Sequence, residues 1–328
     1  MKKLILIITM LFLVNSCSKE TEILPDEIQN VSGEDSYDEF RKGKDLSLSI
    51  LPGNNFIFGI VTDISNQGII VGEGAWVNGE YSLLDNYLDG SWEYTEGSRI
   101  NNQGQIVGFV SDFFEYLLPA YWEHYDSEVT ILPIGDFDGG YAYGNNEQGQ
   151  IVGFAGFTNR QAALWENDEL SILPTGEFSN GWARDINNNG QIVGFVFGGN
   201  NSPNQPAVWN NGQLSLLPTG EFDGGAAWRI NNNGGIVGVV GGQPAYWKNG
   251  KLTVLPTGSF GDGFAYAINN SKTIVGQVGD QPAMWKNGKL TLLPVDTFDG
   301  GIAYGINDPG KVAGELRSGG PSQPALWE

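Results

Sequence analysis

The chain has 328 residues, 40% of them apolar, with 48 glycines, 15 prolines, 10 tryptophans and one cysteine. That apolar and aromatic content excludes a low-complexity chain, and a single cysteine excludes an intrachain disulfide or a thiolate metal cluster. The 38 acidic against 17 basic residues make a polyanion of net charge −21, which phosphate backbones repel, so nucleic acid is not an expected partner.

Residues 1–16 read as an export signal. Lys2 and Lys3 precede an apolar run from Leu4 to Val14, too short for a bilayer-spanning helix, which needs about twenty residues. Val14-Asn15-Ser16-Cys17 resembles the bacterial lipobox, and that resemblance implies lipidation at Cys17 and a membrane anchor there. Ser18 to Glu22 resembles the acidic export tag of bacterial surface lipoproteins. Residues 17–44 are rich in charge and poor in apolar side chains, so they read as a flexible acidic tether. Loss of Lys2 and Lys3 with the signal leaves 15 basic against 38 acidic residues.

From Asp45 to Glu328 the chain repeats. A landmark glycine recurs at Gly72, Gly108, Gly153, Gly194, Gly238, Gly276 and Gly314. A landmark tryptophan follows at Trp76, Trp122, Trp165, Trp209, Trp247, Trp285 and Trp327. Each unit carries four short strand signals: an "AYGIN" type, "QIVGF", "QPAxW" and "KLTLLP". The last two are joined by Asn-Gly at 78–79, 211–212, 249–250 and 287–288, the strongest short hairpin signal. The "IVGF" strands are apolar on both faces, as a sheet pressed between two neighbours requires.

Seven four-stranded units of this length predict an all-β, seven-bladed β-propeller. The last unit reaches only its tryptophan, and a surplus fourth strand, Asp45 to Pro52, stands at the start. The expectation is that the N-terminal strand completes the C-terminal blade with Leu48 opposite Trp327, leaving no exposed sheet edge at the join. The spacing "GxAxxINxxGxIVG … PAxW … NG … LP" over residues 45–328 resembles the bacterial HAF extracellular repeat family, although Pro-Ala-Val-Trp and Pro-Ala-Tyr-Trp replace its eponymous triplet. The resemblance implies an exported β-repeat protein and carries no catalytic residue.

Chemistry is sparse. His124 is the only histidine and falls where other units turn, so it is read as a turn residue. The linkers between units are acidic: Asp138, Glu177, Glu221, Asp223, Asp262 and Asp299 lie on one face of the predicted ring. Such carboxylates suit calcium, the one ion the sequence brings to mind, against the alternative that they bond turn backbone while the neighbouring phenylalanines plug the blade seams. Phe113, Phe114 and Tyr116 form a second candidate binding surface, with Trp92 and Tyr94 in what reads as an irregular linker nearby. Asp63, Arg99, Asp185 and Arg229 share one repeat position, which predicts inter-blade pairs Asp63–Arg99 and Asp185–Arg229 near the channel.

The reading that follows is a lipid-anchored monomer at the outer membrane, on the cell surface or its periplasmic face. It serves as a non-enzymatic scaffold for protein or glycan. The alternative is a carboxylate-based glycosidase or lyase on the same fold, and a purely structural envelope protein is a third.

Overall fold

A computed structural model describes residues 46–52, 60–84, 92–112, 116–198 and 203–328. Seven four-stranded antiparallel sheets are arranged as the blades of a propeller, with no helix among the described residues. The innermost strands, in blade order, are Val61–Ile64, Trp92–Ile100, Gly140–Asn145, Asn180–Ile186, Gly225–Ile230, Gly263–Ile268 and Gly300–Ile306. Six blades are contiguous in sequence. In the seventh, the outer strand is Leu48–Ile50, hydrogen-bonded to Gln323–Trp327.

The closing register is Leu48 opposite Trp327 and Ile50 opposite Ala325. Ser47 and Glu328 exchange both backbone bonds at 3.0 Å, and the Leu51 amide reaches the Pro324 carbonyl at 2.9 Å. Leu51 then packs with Ala313 against Val61, Ile70 and Trp76 of the first blade, so the seam at the join is built like the other six.

Each seam has its own apolar cluster, made by two neighbouring blades. Between blades four and five, Val193, Val208 and Leu217 meet Ala227, Ile230, Ile236 and Trp247. The landmark tryptophans anchor these seams. Trp247 and Trp327 are wholly buried, and their indole N–H groups donate to Pro218 and Pro294 carbonyls of the preceding blade at 2.7 Å. Trp76 makes the same bond to Pro52, which belongs to blade seven, again at 2.7 Å. Satisfying the one polar atom of each indole lets the whole ring be buried without an unmet donor.

The landmark glycine has a steric cause. In all seven blades the inner pair of strands slips register by one residue at the same point, as at Ala183/Asp185 and Ala227/Arg229. The bulge drives a strand-one carbonyl over the glycine: a Cβ on Gly194 would sit 1.9 Å from the Trp182 oxygen. Only glycine fits. At the four Asn-Gly hairpins both residues have positive φ, as at Asn249 (51°) and Gly250 (73°), which is the twist-matched two-residue turn.

Two belts of hydrogen bonds run round the face that carries the turns from strand one to strand two. In the inner belt, the side-chain amide of Asn101 donates to the Asn146 carbonyl, Asn146 to Asn187, Asn187 to Asn231, Asn231 to Asn269 and Asn269 to Asn307, at 2.9–3.2 Å. Asn307 donates to the Ser65 carbonyl at 3.0 Å across the join. Ser65 is the one member too short to pass the chain on. The outer belt is complete: backbone amides of Asn66, Asn102, Glu147, Asn188, Asn232, Asn270 and Asp308 each donate to the next blade's side-chain oxygen, at 2.8–3.1 Å.

Candidate functional site

The acidic linkers all lie on the opposite face. Asp138, Glu177, Glu221, Asp223, Asp262 and Asp299 are exposed. Asp138 accepts from the Phe157 amide at 2.6 Å and the Thr158 hydroxyl at 2.9 Å, bonds that hold its carboxyl below the usual range. The linkers of Asp223 and Asp299 instead offer backbone carbonyls, which accept the side-chain amides of Gln205 and Gln281 at 2.9 Å. Phe137, Phe178, Phe222, Phe260 and Phe298 pack into successive seam clusters beneath. Among the described residues no three His, Cys, Asp or Glu side chains gather around one point.

Of the aromatic candidates, Tyr116 is 59% exposed, and the backbone of Trp92 pairs with Asp112 at the start of the second blade's inner strand. Phe113, Phe114 and Cys17 lie outside the described residues. His124 is exposed in a turn, where its backbone amide donates to the Ser127 hydroxyl at 3.1 Å.

The channel holds the more specific chemistry, in layers set by position along the inner strands. Beyond the asparagine belts lies the quartet Asp63, Arg99, Asp185 and Arg229. Arg99 meets Asp63 at 3.5 Å, as the repeat register predicts. The expected Asp185–Arg229 pair is not made. Arg99 also reaches Asp185 at 3.2 Å, while Arg229 turns to Asp63 at 3.4 Å and to the Thr62 carbonyl at 3.1 Å. Asp185 bonds the Ile230 backbone amide at 2.8 Å instead, just as Asp63 bonds Ile100 at 3.2 Å. The long guanidiniums reach side chains beyond their nearest neighbours, and blades three, six and seven leave space with Gly144, Ala267 and Gly305 at the same position. Burial raises the Asp185 carboxyl to about 6, with Arg99 opposing.

Nearer the linker face, the residues on either side of the bulge form an aromatic mouth. Ring contacts run from Tyr94 through Phe109 and Tyr141 to Tyr143 and Trp182, with centroids 4.4–5.9 Å apart. Arg184 lies 3.8 Å over the Tyr143 ring and 5.5 Å from Trp228. From Trp228 the series continues to Tyr266 and Tyr304, at 5.2 and 5.4 Å. The aromatic lining thus extends over blades two to seven with one guanidinium set into it.

Its charges are unevenly placed. On the side of blades two and seven, Glu96 accepts from the Tyr141 and Tyr94 hydroxyls at 3.0 and 3.1 Å, and burial pushes its carboxyl up against those bonds. Glu315 accepts from Tyr304 at 3.3 Å and Arg317 Nε at 2.8 Å. On the side of blades three and four stand Arg184 and Arg160, the latter 5.2 Å from the Trp182 ring. None of these residues stands out by composition. Their signal is that they occupy the repeat's variable positions, where a constant frame changes from Thr62 and Ser98 to Tyr143, Arg184 and Trp228.

No family model and no curated protein matches the chain. Among solved structures it is similar to YCF48 bound to a D1 peptide, at 12% identity and TM-score 0.53, covering 87% of this chain and 95% of that one. It is also similar to the extracellular domain of a hybrid two-component system from B. thetaiotaomicron (11% identity, TM-score 0.46, 85% of this chain and 39% of that one). A gluconolactonase from Xanthomonas campestris is a third (12% identity, TM-score 0.43, 85% and 97%). At these identities the likeness is one of fold: the chain is a seven-bladed β-propeller.

Proposed function

We propose that this protein is an exported, lipid-anchored binding propeller that takes a protein or glycan ligand at the linker-face mouth of its channel. The observation that carries the reading is the mouth's asymmetry. Structural needs repeat in every blade, as the seams and belts do, whereas the Arg184–Tyr143–Trp228 group occurs once. Partly buried aromatic side chains with a few polar groups are the usual lining of a ligand site. Export and anchoring rest on the signal and Cys17, and the HAF-type repeat supports an extracytoplasmic setting. That the similar YCF48 structure holds a peptide agrees with a binding role for this architecture.

The test is a screen of glycans and peptides with the chain from Ser18 onward, with and without calcium, repeated on Trp228→Ala. Ligands of the wild type should fail to bind the variant, checked to be folded by its cooperative unfolding; ligands indifferent to the substitution would move the site elsewhere. Anchoring is tested apart, by whether Cys17→Ser releases the protein from the membrane fraction.

A second reading, a carboxylate-based carbohydrate enzyme, is favoured by Glu96 and Glu315 standing in unlike settings, one buried between tyrosine hydroxyls and one paired with Arg317. Under it, Glu96→Gln abolishes turnover of a bound glycan without weakening its binding.

A further inference from the structure

The mouth has a cationic end inside a strongly acidic protein. We propose that this end, formed by Arg160, Arg184 and Trp182, binds a carboxylate carried on a sugar ring, so that the ligand is a uronate-containing glycan. The inference rests on the mouth being the ligand site.

Three donors belong to this end: Arg160, Arg184 and the Trp182 indole. Arg160 stacks on Trp182 and Phe154, 5.2 and 5.9 Å from their centroids, and pairs with no carboxylate among the described residues. Arg184 stands over Tyr143, and both guanidiniums act on the Tyr143 hydroxyl, opposing the rise that burial causes. The Trp182 indole N–H, on a side chain only 7% exposed, has no acceptor among the described residues. A buried donor left unmet costs about 1–3 kcal/mol, which an acceptor brought to it offsets. Two guanidiniums and an N–H call for an acceptor with negative charge, and a planar carboxylate matches the guanidinium fork.

The opposite end does not ask for a cation in the same way. Glu96 is already bonded by two tyrosines, and Glu315 by Arg317 and Tyr304. Beside Arg184, the rings of Trp228, Tyr266 and Tyr304 follow one another at 5.2 and 5.4 Å, the first pair edge-to-face and the second tilted, so that apolar ring surface lies next to the guanidinium. A pyranose ring lays its C–H face on a single aromatic ring such as Trp228, with its carboxylate fixed directly to the sugar ring, one step away from the guanidinium. The terminal carboxylate of a peptide brings the charge without the ring.

The probes are trimers of galacturonate, mannuronate and guluronate, each compared with its methyl ester by calorimetry on the chain from Ser18. At least one acid should bind roughly 10- to 100-fold more tightly than its ester, the range expected for a charge-assisted contact. Arg160→Gln, at a partly exposed position, should remove the preference of acid over ester in a variant that still unfolds cooperatively. Equal binding of acid and ester, no binding of any trimer, or a preference that survives Arg160→Gln overturns the proposal. So does capture of a free-carboxylate peptide in place of all three sugars. If a neutral ligand binds and is lost in Trp228→Ala, the mouth reading stands and only this inference fails.

Discussion

The inner asparagine belt has six side-chain links and one gap, and the gap makes it measurable. Replacing Asn231 by serine copies blade one's own solution into blade five. The substitution removes the 2.9 Å bond from the Asn231 amide to the Asn269 carbonyl. It keeps an oxygen able to serve the Gly235 amide, now held at 2.7 Å, as the Ser65 hydroxyl serves Ile69 at 3.2 Å. The Asn269 carbonyl is not orphaned, because the Lys272 amide still donates to it at 3.1 Å. The loss is therefore one net buried hydrogen bond plus the small void of the missing amide, about 1–2 kcal/mol. The reverse change, Ser65→Asn, adds the seventh link, to the Asn101 carbonyl, and should gain about 1 kcal/mol. Guanidinium unfolding followed by tryptophan fluorescence reads both as opposite shifts in midpoint at constant slope. If Asn231→Ser falls within about 0.5 kcal/mol of wild type, the range of an ordinary surface change, the belt is not a source of stability and the reasoning fails.

Ser49→Pro removes a ladder amide from the closing strand, opposite Leu326, and should destabilise the ring by about 3 kcal/mol and open the chain near residue 52 to protease; unchanged protease resistance would mean closure does not depend on this strand. Gly194→Ala puts a methyl 1.9 Å from the Trp182 carbonyl and should cost at least about 1–3 kcal/mol by thermal unfolding, with Trp182 moved and ligand binding weakened alongside. Asp185 has a folded value near 6 against 3.8 unfolded, so the stability it contributes is full below pH 3.8 and is lost as pH rises through 6. In Asp185→Asn that slope disappears: relative to the variant, wild type should lose about 2 kcal/mol between pH 4 and 7, measured as paired unfolding curves.

The fold was legible because closure imposes equivalence. A repeat of fixed landmarks with a displaced fourth strand has one way to leave no edge, and the pairing of Leu48 with Trp327 followed from counting. Asn-Gly turns were legible because positive φ at two successive residues selects those two side chains. The channel was less so. Sequence adjacency predicted Asp185 beside Arg229, but a guanidinium on a long stem is free to choose among carboxylates across the opening, and Arg229 chose Asp63. The asparagine belts escaped notice because an Asn that bonds its own turn and one that also bonds the next blade look alike in sequence. Asn146 does both, accepting from the Gln148 amide and donating to Asn187. Of the mouth only Tyr94 was singled out, and then as part of a linker rather than a strand, because repeats draw attention to what is constant and the mouth's chemistry lies in what varies.

The outer strand of blade seven starts at Leu48, level with Trp327, where the hairpin turns of the other blades lie. The polypeptide upstream therefore joins the disc at its rim, on the asparagine side. Under the proposed anchoring, a load applied there would leave the aromatic opening facing away from the attachment point, presented to the surroundings rather than pressed against its own support.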